Sequence, residues 1–194
     1  MRVTNLELLP PRCLLAVRPS KPEPELYERM VKAFVSDAED AKALARHESR
    51  GNTDPWMSTR EELKAWNLAC PCGADQAKLF GVRKDDQFNA PVRFECMTCS
   101  ESTIVFDASA DGWNAEIAKR KRAKPRKEPK TTFAMHCRKC KNTVWRPAAI
   151  VTYQADNFFD IPEDRIKDYF DMIALGGCCA TCGDVAFGFD VECT

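Results

Sequence analysis

The chain has 194 residues, is 44% hydrophobic and 30% charged, and carries a formal net charge of zero. That composition is ordinary globular material, able to bury small cores but not one large one. Pro10, Pro11 and Arg12 interrupt the only apolar stretch near the start, and no run approaches the ~20 apolar residues that cross a bilayer. These features argue against a signal peptide, a membrane span or a membrane partner, and point to a cytoplasmic protein.

In chain order, Cys13-Leu14-Leu15-Ala16-Val17 reads as a short buried strand or extended segment, with Cys13 as a core residue. Pro24 suits the first turn of a helix that runs to about His47. Its broad apolar face carries Leu26, Met30, Ala33, Phe34, Ala41, Leu44 and Ala45. A second, short helix is expected from Ser58, with Glu61 completing a capping box and Leu63 and Trp66 facing inward. Residues 1–66 therefore read as an N-terminal helical region for packing and docking, without recognisable chemistry.

The cysteines carry the strongest signal. Eight of the 11 form four close pairs: Cys70/Cys72, Cys96/Cys99, Cys137/Cys140 and Cys179/Cys182. Two cysteines at such spacing place both thiolates about 3.5–4 Å apart, as two corners of a tetrahedron around one Zn²⁺. Four pairs make two Cys₄ sites, hence two structural zinc ions. Disulfides are the competing fate, but they belong to oxidising compartments, whereas cytosolic thiols stay reduced.

Around the first site, Pro71 and Gly73 help the backbone turn its amides toward thiolate sulfur. Three β-like runs follow, at 79–82, 92–95 and 103–106, with Asp85-Asp86 marking a turn between the first two. This order of knuckle, hairpin, knuckle and final strand resembles the zinc-ribbon family over residues 70–107. The resemblance implies that Cys70, Cys72, Cys96 and Cys99 bind one Zn²⁺ within a small antiparallel sheet. Zinc ribbons usually carry C-P-x-C-G, and this chain is one residue short there. Either the first knuckle is contracted, or Cys70 or Cys72 is a spectator.

In the second module, Cys137-Arg138-Lys139-Cys140 precedes strand-like residues at 144–145 and 150–153. A helix is expected next, capped by Asp160 and Glu163, with Pro162 in its first turn. Ile166, Tyr169, Phe170 and Ile173 form its apolar stripe, and Gly176-Gly177 ends it. Cys179-Ala180-Thr181-Cys182 and a strand over 185–191 close the module. Residues 134–194 thus also resemble a zinc ribbon, with a helix inserted. His136, Cys178 and Cys193 compete as ligands; Cys179 is preferred over Cys178 because it keeps the two-residue spacing to Cys182.

The expected fold is α+β: residues 1–66 helical, a first ribbon at 67–118, a basic linker at 119–131, and a helix-inserted second ribbon at 132–194. Thiolate-closed metal sites leave no open coordination position, and with only His47 and His136 the chain has little for acid–base chemistry. It also has no Walker A, G-x-G-x-x-G or G-x-S-x-G motif. A non-enzymatic protein acting through macromolecular contact is the consequent expectation.

Two contact surfaces are candidates. On the expected helix, Asp160, Asp164, Asp168 and Asp171 share one arc opposite the apolar stripe. Such a face suits a protein partner with a basic surface, as in an inhibitor of a nuclease or toxin, or a regulator of a nucleic-acid machine. The alternative is DNA or RNA binding by the linker. It concentrates Lys119, Arg120, Lys121, Arg122, Lys124, Arg126, Lys127 and Lys130 within twelve residues, flanked by Trp113 and Trp145 as stacking platforms. Protein contact is the preferred reading.

Overall fold

The structure, a computed structural model, describes residues 10–37, 63–84, 87–108, 111, 131–152, 170 and 172–192. Antiparallel strands predominate among them, and the sheet curls into a half-barrel. A 3-10 turn at Arg12–Ala16 leads to β1 (Arg18–Ser20) and the helix α1 (Pro24–Asp37). The strands that follow are β2 (Leu63–Ala69), β3 (Ala77–Lys84), β4 (Gln87–Cys96) and β5 (Ser102–Phe106). The last four are β6 (Phe133–Ala134), β7 (Trp145–Thr152), β8 (Met172–Cys179) and β9 (Val185–Glu192).

This architecture overturns the expected N-terminal helical region followed by two zinc ribbons. Leu63 and Trp66, expected on a short helix, lie in β2, and the expected boundary at 66/67 falls inside that strand. The segment around Cys13 is a 3-10 turn instead of a strand. The helix from Pro24 is present to Asp37; the stretch expected to continue it lies outside the described residues, as does most of the helix expected after Asp160. Ile173, Gly176 and Gly177, expected at that helix's end, belong to β8.

The ribbons fail as separate modules because their leading strands are exchanged. β3, β4 and β5 form one antiparallel triplet, and β7, β8 and β9 form another. Each triplet follows a strand and a knuckle: β2 and Cys70–Cys72 in the first half, β6 and Cys137–Cys140 in the second. Yet β2 pairs with β7, and β6 pairs with β3. The registers match across the halves. Ala77 and Trp145, each five residues past its knuckle's last cysteine, pair with each other. Phe80 opposes Ala134 as Ala148 opposes Asn67, and Gly81 opposes Phe133 as Ala149 opposes Trp66. Cys96 opposes Ala77 as Cys179 opposes Trp145. Antiparallel pairing of equivalent residues requires a local two-fold, and it sits at the Ala77–Trp145 pair.

One core lies inside the curl. The first half contributes Leu79, Phe94, Val105 and Phe106, and the second contributes Trp145, Val151, Leu175 and Phe189. Phe106 joins the halves through edge contact with Phe189, at 5.7 Å between ring centroids. β7 is buried on both faces, since Ala149 and Val151 face this core while Ala148 and Ile150 face α1.

Helix α1 forms because Leu26, Met30 and Phe34 recur every fourth residue, with Pro24 and Glu25 in its first turn. Met30 and Phe34 pack on Ala65, Ala148, Ile150, Ala174 and Phe187, each contributing roughly 1.5–3 kcal/mol of apolar burial. The two-fold does not extend to this helix, and residue size explains why. Where the second half has Ala148, Ala174 and Gly176, the first has Phe80, Pro91 and Arg93. The Arg93 guanidinium lies over the Phe80 ring, 4.8 Å from its centroid, so that outer face covers itself. Small residues make a helix seat, and large ones close it.

Gly177 and Gly183 supply a paired test of this packing. Gly177 has φ +147°, and a Cβ there would meet the Arg146 carbonyl oxygen of β7 at 2.1 Å; Gly183 has φ +71° with nothing within 4 Å. Gly183→Ala should therefore cost only the left-handed backbone term, about 1–2 kcal/mol. Gly177→Ala adds a backbone clash and should cost more than about 3 kcal/mol in denaturant unfolding of metal-loaded protein. Equal losses would contradict the close approach of β7 and β8.

Candidate metal centres

Each site is assembled from two chain reversals. In the first, Cys70 and Cys72 lie between β2 and β3, while Cys96 ends β4 and Cys99 precedes β5. In the second, Cys137 and Cys140 lie between β6 and β7, while Cys179 ends β8 and Cys182 precedes β9.

Three of the four reversals close in the same way. The Cys96 amide donates to Glu101 O at 2.9 Å, and the Cys179 amide donates to Asp184 O at 2.7 Å. Ser100 N–H returns to Cys96 O as Gly183 N–H returns to Cys179 O. A residue in the left-handed region completes every knuckle: Gly73, Ser100, Lys141 and Gly183. Such a turn aims successive amides at the sulfurs, as when Thr98 N–H points at Cys96 Sγ at 3.4 Å.

The shortened first knuckle closes one residue earlier. Gly73 N–H donates to Cys70 O at 2.8 Å, where Lys141 N–H donates to Cys137 O at 2.9 Å. The contraction still delivers both thiols.

Within each tetrad the sulfurs all lie within 4.8 Å of one another. Cys70 Sγ is 3.5 Å from Cys99 Sγ, and Cys72 Sγ is 3.7 Å from Cys96 Sγ. In the second tetrad, Cys137 Sγ is 3.6 Å from Cys182 Sγ, and Cys140 Sγ is 3.5 Å from Cys179 Sγ. A tetrahedron with metal–sulfur bonds of about 2.3 Å has an edge of about 3.8 Å, so both groups are sized to hold a metal ion. One cysteine of each pair is buried and the other exposed.

The thiols differ in their readiness to ionise. Burial pushes Cys70 up to about 12. Desolvation acts on Cys96 as well, but the backbone amides of Cys99 and Thr98 stabilise its thiolate and bring it down to about 6. At the equivalent position, desolvation of Cys179 is overcome by the amides of Cys182 and Thr181, giving about 7. At each site the backbone amides thus favour the thiolate form of one buried cysteine, the form in which a metal ion would be bound.

Of the competing ligands, Cys178 and His136 fall outside the tetrads. Cys178 is buried on the opposite face of β8, its thiol directed at Gly183 O at 3.4 Å. His136 is exposed, and Cys193 lies outside the described residues. So do Asp160, Asp164, Asp168 and Asp171, together with all eight cations of the basic linker.

Trp145 is no stacking platform. It is 0% exposed at the two-fold, and its indole N–H donates to Met135 O at 3.0 Å. Met135 N–H in turn donates to Leu79 O at 2.8 Å, so this residue knits β3 to β7. Sequence reading also passed over Asn142. Its side-chain oxygen accepts from Val144 N–H, and its amide donates to Thr181 Oγ1, joining the second site's two knuckles. An Asn two residues past a C-x-x-C is the signal that was available.

Among the described residues no helix is long and apolar enough to cross a membrane. No protein-family model, curated protein or solved structure matches this chain.

Two outcomes check this geometry. Cys178→Ser should leave metal content unchanged, whereas Cys179→Ser should cost one bound ion, both read by elemental analysis; the reverse result would reassign the ligand. Acidification should weaken binding throughout, because Cys70 must lose a proton at neutral pH to bind. Between about pH 7 and 6, Cys179 and Cys96 become protonated too. The slope of log affinity against pH should therefore steepen by about one unit per site there. A constant slope in chelator-competition titrations would contradict the amide-stabilised thiolates.

Proposed function

We propose that this chain is a non-enzymatic, cytoplasmic protein in which each tetrad holds a structural Zn²⁺. It acts by contact with a protein that presents a basic surface, as an inhibitor of a nuclease or toxin or as a regulator of a nucleic-acid machine. Zinc is supported by the donor set: four thiols at tetrahedral spacing suit a closed Zn²⁺ site, with no position left for a catalytic water. A reduced, cytoplasmic setting keeps such thiols free to bind metal.

The observation that carries the partner reading is a length difference between the two halves. The β3–β4 hairpin closes at Lys84 opposite Gln87, whereas the equivalent β7–β8 hairpin opens after Thr152 and resumes at Met172. Asp160, Asp164, Asp168 and Asp171 all fall in that insertion, with Glu163 and Asp156. Its ends are paired strand residues, and Phe170, 1% exposed against Phe106, anchors its return to the core. An acidic insertion between two paired strands suits steering and capture of a basic partner.

Protein purified without added metal should contain about two zinc ions per chain by elemental analysis. Affinity purification from the native host should retain its partner after nuclease treatment. Substituting Asp164, Asp168 and Asp171 by Asn should release that partner, and neutralising Lys119, Arg120, Lys121 and Arg122 should not. Nuclease-sensitive capture lost with the linker charges alone would overturn this reading in favour of DNA or RNA binding.

A further inference from the structure

The two tetrads lie on one lateral row of the sheet. Cys96 pairs with Ala77, Ala77 with Trp145, and Trp145 with Cys179. At the usual strand separation, the two cysteine Cα atoms are about 15 Å apart, separated only by residues at the two-fold.

Each tetrad also holds a strand that belongs, by pairing, to the other half. Cys70 follows directly on β2, whose residues Leu63–Asn67 pair with β7 of the second half. Cys137 follows β6 and Met135, which are bound to β3 of the first half through the pairs Phe80–Ala134 and Gly81–Phe133 and the bond to Leu79 O. An ion in the first site therefore ties β2, which lies between β1 and β7, to the first half. An ion in the second site does the converse.

From this exchange we infer that the two metal sites bind with positive cooperativity, so that the chain switches between a metal-free and a two-ion state with little of the one-ion state. The inference rests on the reading of the tetrads as metal sites and adds their mutual regulation. Emptying the first site unties the Cys70 end of β2 from the first half and leaves it held by β1 at Asn67, Leu68 and Ala69. The pairing of β2 with β7 then loses its anchor in the first half, and with it support for the strand that aligns Trp145 with Cys179. The second site then closes at greater cost. By linkage, the second ion must favour the first by the same factor. Two separate ribbons would bind independently.

The test uses zinc and a chelator of known affinity on the full chain. Cys72→Ser/Cys99→Ser removes the two exposed thiols of the first site and leaves buried Cys70 and Cys96 in the core; Cys140→Ser/Cys182→Ser does the same for the second. Each double variant should bind its remaining ion at least about tenfold more weakly than the wild type binds at that site, with similar losses in both directions. A remaining affinity within about twofold of wild type in either variant overturns the inference.

Native mass spectrometry of the unaltered chain at one zinc equivalent is independent of whether the variants fold. Tenfold coupling of sites with equal affinity holds the one-ion species to about a quarter of the molecules, and independent sites give about half. For sites that the double variants show to be of equal affinity, a one-ion species at half or above overturns cooperativity while leaving two metal sites in place. A wild type that takes up no zinc overturns the metal reading itself.

Discussion

The antiparallel crossing of β3 and β7 at Ala77 and Trp145 is the constraint on which the other features of the fold depend. It is a single pairing, but it decides which strand can lie beside which. Past the crossing each central strand has a free edge, and the space beside it is filled by the other half's leading strand. Ala77 and Trp145 are both fully buried, one as small as a strand residue can be without becoming glycine and the other the largest. The Trp145 ring and the Met135 backbone together fill and satisfy the junction, leaving its indole N–H paired as a buried donor requires.

The exchange changes what the metal sites accomplish. An ion held by four thiolates couples on the order of 10 kcal/mol to folding, which is comparable with the stability of a whole domain. Because the thiols of one tetrad come from strands engaged with both triplets, the stabilisation from a bound ion would be shared between the halves. The single core around Phe106 and Phe189 reports the same merger in apolar terms.

The halves diverge where size and length differ. Ala148, Ala174 and Gly176 open a seat for α1, and Tyr27 fastens that helix to β2 by donating to Leu63 O at 3.1 Å. At the matching positions Phe80, Pro91 and Arg93 fill the surface themselves. The hairpin that is tight at Lys84 and Gln87 is expanded between Thr152 and Met172. A duplicated scaffold with one face covered and one hairpin lengthened is a plan in which the cysteine-knuckle frame is common and the added segments differ.

The cysteine pairs, their turns and the strands β3, β4, β5 and β9 were legible from sequence, because knuckle spacing and strand alternation are local properties. The convergence of Cys70 and Cys72 on Cys96 and Cys99 followed from the same spacing, even with one residue missing. Other elements were misread for a physical reason. β8 is buried on both faces from Ile173 to Cys179 and so lacks the period-two signal; its Gly176-Gly177 imitates a helix stop, while in the fold it admits the backbones of β9 and β7. β2 has the length and composition of either a helix turn or a strand, and only its partner β7 decides between them. The exchange of β2 and β6 has no local trace, since either pairing satisfies the same backbone groups. The sequence by itself determined where metal could be held and which segments turn. Tertiary structure alone decided which strands share a sheet, because that choice depends on the register at one pair of residues, Ala77 and Trp145, far apart in the chain.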